Sequence, residues 1–66
     1  MKKEEYAKIR PNHLISFGNY VINNDNILIF VKQDEDREKH LYWFRVEGYS
    51  EDDLIGLFPS DFYSID

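Results

Sequence analysis

Gly56-Leu57-Phe58-Pro59-Ser60-Asp61-Phe62-Tyr63-Ser64-Ile65 is the stretch that decides the fold. Pro59 has no backbone N–H and a fixed φ, so a strand that reaches it must stop or turn. Ser60 and Asp61 behind it favour a tight turn. The stretch therefore predicts a strand, a single helical turn over residues 59–62 and a short final strand.

The rest of the chain also reads as short strands. Residues 27–31 form a continuous apolar run rich in β-branched side chains, which predicts a central strand covered on both faces. Residues 41–46 alternate between two faces, with Leu41, Trp43 and Arg45 on one of them. Residues 54–58 return to strand character, and residues 48–53 between the two form a polar hairpin loop.

The N-terminal half is less regular. Residues 1–10 fit either a short helix or an extended strand, and Pro11 favours a first strand near residues 6–9 because it disfavours helical geometry at Arg10. Residues 14–22 predict two short extended pieces separated at Gly18 and Asn19, which tolerate a bulge or a loop tip. The four turn-forming residues 23–26 between apolar runs predict a hairpin.

The C-terminal stretch resembles the signature of SH3 domains, usually written G-L-F/I-P-S-N-Y-V-x-x-I. Residues 56–60 match it letter for letter, whereas Asp61, Phe62 and Tyr63 stand where the family usually has Asn, Tyr and Val. The resemblance is best over residues 26–66, where residues 43–48 are similar to the family's W-W strand.

The resemblance implies an all-β fold, a small SH3-like barrel of five or six short strands with a single 3-10 turn near Pro59 and Phe62. We expect residues 1–66 to form a single domain of this kind. The family's first strand carries an A-L-Y-D-Y motif, but here the corresponding region, residues 6–13, has Lys8, Arg10 and His13 where aromatic and acidic residues are usual. The loops before Leu41 and after Gly48 are also longer than usual.

Composition restricts the partner and the compartment. Thirteen acidic residues against eight Lys and Arg give a net charge of −5, which repels a phosphate backbone, so direct nucleic-acid binding is not expected. The absence of cysteine fits a reducing compartment. No apolar run approaches the roughly 20 residues of a membrane span. We expect a cytoplasmic protein with no membrane contact.

No pattern of residues predicts catalysis. His13 and His40 are far apart and lack the spacing of a zinc site, and the three glycines are too scattered for a phosphate-binding loop. The serines lie in no nucleophile elbow. Nearly all the carboxylates fall in polar segments, where we expect them to be solvated and not placed in the two distinct environments that acid–base catalysis needs. We expect no enzymatic activity, cofactor or metal.

The resemblance instead implies a surface that binds a peptide. In SH3 domains an aromatic groove receives a proline-rich segment in the polyproline II conformation. By position, Trp43 would be the tryptophan of the groove, Pro59 its floor and Phe62 its usual tyrosine, with Tyr6 as the aromatic residue of the N-terminal strand. A place in the core is the alternative for Trp43, as for the single tryptophan of many small domains, but Phe44 and Val46 can fill the core face and favour the groove. The acidic loop would pair with an Arg or Lys of the ligand. Its acidic residues are Asp34, Glu35, Asp36 and Glu38.

Three functions are compatible with these observations. The first is a non-catalytic module that docks a basic, proline-containing peptide. The second is a small acidic phage or mobile-element protein that blocks a host nucleic-acid enzyme by charge mimicry, which acidic residues on one continuous face would favour. The third is a structural domain of a larger chain.

Overall fold

A computed structural model describes residues 2–34 and 41–65. Within these residues the chain forms short strands and one 3-10 helix, with no α-helix. The strands, in chain order, are β1 (Tyr6–Ile9), β2 (Ile15–Phe17), β3 (Tyr20–Ile22), β4 (Leu28–Gln33), β5 (Tyr42–Val46), β6 (Leu54–Leu57) and β7 (Phe62–Ser64). The 3-10 helix, Pro59–Asp61, lies between β6 and β7, as the sequence predicted.

Five strands build one antiparallel sheet in the order β6-β5-β4-β1-β7, and β2 and β3 form a separate two-stranded sheet. The prediction of an all-β fold is therefore confirmed, with seven strands where five or six were expected. Among the described residues, β6 and β7 are the two edges of the sheet and do not pair with each other. The sheet is open, and closure into a barrel is not observed.

One face of the sheet carries the core, because successive side chains of a strand point to opposite faces. Phe44 and Val46 of β5 are fully buried on the core face. Trp43 and Arg45, which alternate with them along the strand, are half-buried on the other face. The predicted alternation of this strand is confirmed. The core is completed by Ala7, Ile9, Ile22, Leu28, Phe30, Ile55, Leu57 and Phe62.

The central strand β4 is buried on both faces, as predicted. Leu28 and Phe30 belong to the core cluster, and Ile29 is 6% exposed on the opposite face between Tyr6 of β1 and Arg45 of β5. The strand continues two residues beyond the apolar run that predicted it, because Lys32 and Gln33 still pair with β5 after a register shift at residue 31. Backbone pairing extends there into residues that are exposed.

Residues 23–26 form the predicted turn, but the predicted hairpin is wrong. The Asn26 N–H donates to the Asn23 carbonyl at 3.1 Å, so the chain does reverse. The strands on either side then separate: β3 pairs with β2, and β4 pairs with β1 and β5. Asn24 fixes this turn to the sheet, since its Nδ2 donates to the Ile9 carbonyl at 2.7 Å and to the Tyr63 hydroxyl at 3.0 Å.

The β2–β3 hairpin lies near the turn that joins β5 to β6. Its tip is a two-residue loop, with Gly18 at φ 60°, a left-handed conformation that glycine adopts without steric cost. Tyr20 of the hairpin meets Tyr49 of the β5–β6 turn edge to face, with ring centroids 4.8 Å apart. This contact is at the opposite end of the β5–β6 hairpin from Trp43 and Pro59.

The described residues include no helix long and apolar enough to cross a membrane.

Candidate functional site

Trp43 lies on the face of the sheet that is turned away from the core. It is the second residue of β5 and pairs with Gly56 of β6 on one side and Lys32 of β4 on the other. A Cβ atom placed on Gly56 would lie 3.1 Å from the Cη2 and Cζ3 atoms of the indole ring. The ring therefore lies over Gly56, and its half-buried state leaves part of it accessible to solvent.

Phe58 and Pro59 continue the same exposed surface. Phe58 follows Gly56 by two residues and has extended backbone angles, so it stands on the same face as Trp43. Diagonal neighbours of this kind on adjacent strands lie about 7–8 Å apart. Phe58 is 51% exposed, and Pro59 is exposed at the start of the 3-10 helix. We name Trp43, Phe58 and Pro59 the aromatic patch.

Hydrogen bonds within the turn hold Pro59 in place. The Asp61 N–H donates to the Phe58 carbonyl at 2.9 Å, and the Phe58 N–H donates to an Asp61 carboxylate oxygen at 3.2 Å. Proline suits the first position of such a helix, since its missing N–H would have no partner there. The turn thus presents Phe58 and Pro59 in a fixed arrangement beside β5.

Phe62 does not belong to the aromatic patch. It is 7% exposed, and its ring lies 4.8 Å from the Phe44 ring and 5.3 Å from the Tyr42 ring, measured between centroids. The expectation that Phe62 lines a groove is therefore corrected: its side chain is part of the core and offers little surface to a peptide. Sequence reasoning also missed Phe58, although a bulky apolar residue beside a strand-ending proline was a usable signal.

Tyr6 is exposed but is not brought to Trp43. It begins β1 and pairs with Ile29, so β4 lies between it and β5. Its position along the sheet is level with Arg45 and not with Trp43, since Arg45 is the other partner of Ile29. Tyr6 is 47% exposed and shares a face with Trp43, but it stands two strands away, about 9–10 Å at ordinary strand spacing.

The predicted acidic loop begins at the same end of β5 as Trp43. Asp34 is half-buried, and its N–H donates to the Leu41 carbonyl at 2.7 Å, which joins the two ends of the loop. Glu35, Asp36 and Glu38 lie outside the described residues. The structure thus places the base of the loop beside the strand that carries Trp43.

Two basic residues lie beside Trp43 on the same face of the sheet. Lys32 is directly across from Trp43, and Arg45 is two residues along the same strand and on the same face. Both line a shallow depression of about 450 Å³, together with Lys3, Glu4, Glu51 and Leu54. The face beside Trp43 is therefore less acidic than the net charge of the chain would indicate.

Within residues 2–34 and 41–65, no three His, Asp or Glu side chains come together in a group that could hold a metal ion. The same part of the chain has no buried side-chain polar atom that lacks a hydrogen-bond partner. The candidate site of the described residues is the exposed surface formed by the aromatic patch.

The contact between Trp43 and Gly56 gives a direct test of the patch. We expect Gly56→Ala to displace the indole by a few tenths of an ångström and to shift the tryptophan emission to longer wavelength, because the new Cβ overlaps the ring. Trp43 is the only tryptophan, so fluorescence reports on it alone. Loss of stability in urea should be about 1 kcal/mol.

Gly48→Ala is the matched control. Nothing lies within 4 Å of a Cβ at this position, but its φ of 91° strains an alanine. We expect a loss of stability of about 1–2 kcal/mol without a change in native tryptophan emission. Equal emission spectra for the two variants would contradict the placement of the indole over Gly56.

Comparison of the chain with protein-family models, curated proteins and solved structures found no match. The similarity to SH3 domains thus rests on the residues quoted for it and not on any of these comparisons.

Proposed function

We propose that this chain is a non-catalytic, SH3-like interaction module whose aromatic patch docks a proline-containing segment of a partner protein. One observation carries the proposal: the half-buried indole of Trp43 lies over Gly56, next to the exposed Phe58 and Pro59. A flat ring backed by a glycine offers a stacking surface for a proline, and the indole N–H is a hydrogen-bond donor for a peptide carbonyl. A polyproline II segment adds little ordering entropy because it is extended before it binds.

The fold supports this proposal without deciding it. A strand, a 3-10 helix at a proline and a final strand follow one another as the SH3 resemblance implies, and the sheet is built from short antiparallel strands. The described strands form an open sheet and a separate two-stranded sheet, and the SH3-like barrel that the resemblance implies is the finer part of the proposal. Arg or Lys residues of the ligand would pair with the acidic loop that begins at Asp34, and such exposed pairs contribute only about 0.2–1 kcal/mol each.

The experiment is an NMR titration of the ¹⁵N-labelled protein. The probe is a capped, neutral peptide, acetyl-Gln-Ala-Pro-Ala-Ala-Pro-Ala-Gln-amide, which carries proline without charge. We expect saturable shifts of the Trp43 indole N–H and of the Gly56 and Phe58 amides. The comparison peptide replaces each proline by alanine and should cause no saturable shift. If neither peptide moves the Trp43 signal, the proposed function is wrong.

A second candidate, charge mimicry, is favoured by the charges at the other end of the sheet. Residues 23–27 and 46–53 contain five acidic residues and no Lys or Arg. The Glu47 N–H donates to the Ile27 carbonyl at 2.9 Å, which holds the two segments side by side. The acidic residues of this end are Asp25, Glu47, Glu51, Asp52 and Asp53.

The same titration separates the two candidates. A capped octalysine peptide should perturb the amides of residues 23–27 and 46–53 if this acidic end binds a cationic partner. Peptide docking instead predicts that the proline peptide perturbs the aromatic patch. The candidate whose signals respond at the lower peptide concentration is the better description of the protein.

A further inference from the structure

The sheet face beside Trp43 carries positive charges, although the net charge of the whole chain is −5. Lys32 is the cross-strand partner of Trp43, and partners of this kind have Cβ atoms about 4.5–5.5 Å apart. Arg45 is two residues from Trp43 along β5, about 6–7 Å at the rise of a strand. Two cations of the chain are therefore first neighbours of the indole on its own face.

These cations are open to a ligand. Lys32 is exposed and Arg45 half-buried, and both line the depression of about 450 Å³. Lys3 adds a third positive charge to it, while Glu4 and Glu51 add two negative ones. Among the described residues, the side chains of Lys32 and Arg45 take part in no hydrogen bond or ion pair, so their charges are not neutralised by a direct contact.

The positions of the charges along β5 give a direction. The acidic loop begins at Asp34, beyond the pair of Gln33 and Tyr42 at the start of the strand, whereas Arg45 lies on the other side of Trp43. An extended peptide over the indole that continues along β5 toward Arg45 would thus pass Lys32 and Arg45, and its other end would point toward Asp34. A polyproline II segment rises about 3.1 Å per residue, so two residues cover about the distance from Trp43 to Arg45.

We infer that the docked segment carries a glutamate or aspartate two residues from the proline that stacks on Trp43, and that Lys32 and Arg45 bind this carboxylate. The inference rests on the proposed function and names the partner more narrowly, as a proline-containing segment with an acidic side chain. Charge complementarity supports this occupant, since a basic residue at the same position would face Lys32 and Arg45. A single-stranded nucleic acid is disfavoured because nine of the described residues are acidic and only six are Lys or Arg.

The test uses single-proline peptides that differ at one position. The neutral peptide is acetyl-Gln-Ala-Pro-Ala-Gln-amide, and two further peptides carry Glu in place of one or the other Gln. Because the ends are capped, only the side chain supplies a carboxylate. We expect one Glu peptide to bind about two- to fivefold more tightly than the neutral one, with the gain falling as salt is raised from 20 to 300 mM.

Variants test whether Lys32 and Arg45 cause the tighter binding of the Glu peptide. Lys32→Gln and Arg45→Gln should each reduce or abolish the advantage of the Glu peptide over the neutral peptide, with both dissociation constants measured on the same variant. Lys8→Gln removes a charge from β1, next to Tyr63 of β7, and should leave the advantage intact.

The possible results are distinguishable. If the neutral peptide moves Trp43 and neither Glu peptide binds better, the proposed function stands and the inference is wrong. If no peptide moves Trp43, both are wrong. If an eight-nucleotide thymidine oligomer perturbs Trp43 and Arg45 at lower concentration than either Glu peptide, the face binds nucleic acid and the inference is overturned.

Discussion

Phe44→Ala should remove a large part of the protein's stability against unfolding. Phe44 is fully buried in β5, with its ring centroid 5.7 Å from that of Phe30 and 4.8 Å from that of Phe62. Truncation of a buried phenylalanine costs about 3–5 kcal/mol, because the removed ring leaves a cavity that its neighbours fill only in part. A folded chain of this length has a total stability of only about 3–10 kcal/mol.

The measurement is urea denaturation followed by circular dichroism and by Trp43 fluorescence. Phe58→Ala removes the same atoms from a position that is 51% exposed, and should cost about 1 kcal/mol or less. Phe62→Ala should resemble Phe44→Ala, since Phe62 belongs to the same cluster. A Phe58 variant as unstable as the Phe44 variant would show that the sheet faces are assigned wrongly.

The strands were largely predictable because their side-chain patterns depend on local sequence. Alternation identified the two faces of β5, and an apolar run identified β4. Pairing was less predictable. The turn-forming residues 23–26 predict that the chain reverses, but they do not predict which strands pair. In the structure β3 and β4 belong to different sheets.

The site was predictable only in part, for a related reason. Trp43 and Pro59 were expected from the resemblance, and the structure places them at one end of the β5–β6 hairpin. The 3-10 helix between Phe58 and Phe62 interrupts the alternation of the strands, so the sequence does not show which of these two phenylalanines faces the core. The structure buries Phe62 and exposes Phe58. The charges next to Trp43 depend on strand register, which no local pattern of this sequence specified.

Trp43→Ala should weaken binding of the neutral two-proline peptide at least tenfold, which corresponds to about 1.4 kcal/mol. Tryptophan is among the residues that dominate binding energies, because its ring covers a large area with few rotatable bonds. The Gly56 and Phe58 amides report binding in the absence of the indole. Trp43→Phe keeps a smaller stacking ring and should retain part of the affinity, which guards against the possibility that the alanine variant does not fold.

Tyr6→Ala is the control that separates the structure from the sequence resemblance. Tyr6 and Trp43 are both aromatic and lie on the same face of the sheet. Tyr6, however, is on β1, and β4 lies between it and Trp43. We expect its dissociation constant to stay within about twofold of that of the unmodified protein, since few interface positions away from a binding centre cost more than 1 kcal/mol. If Tyr6→Ala weakens binding as much as Trp43→Ala does, the peptide crosses the sheet toward β1, and the aromatic patch is not the centre of the site.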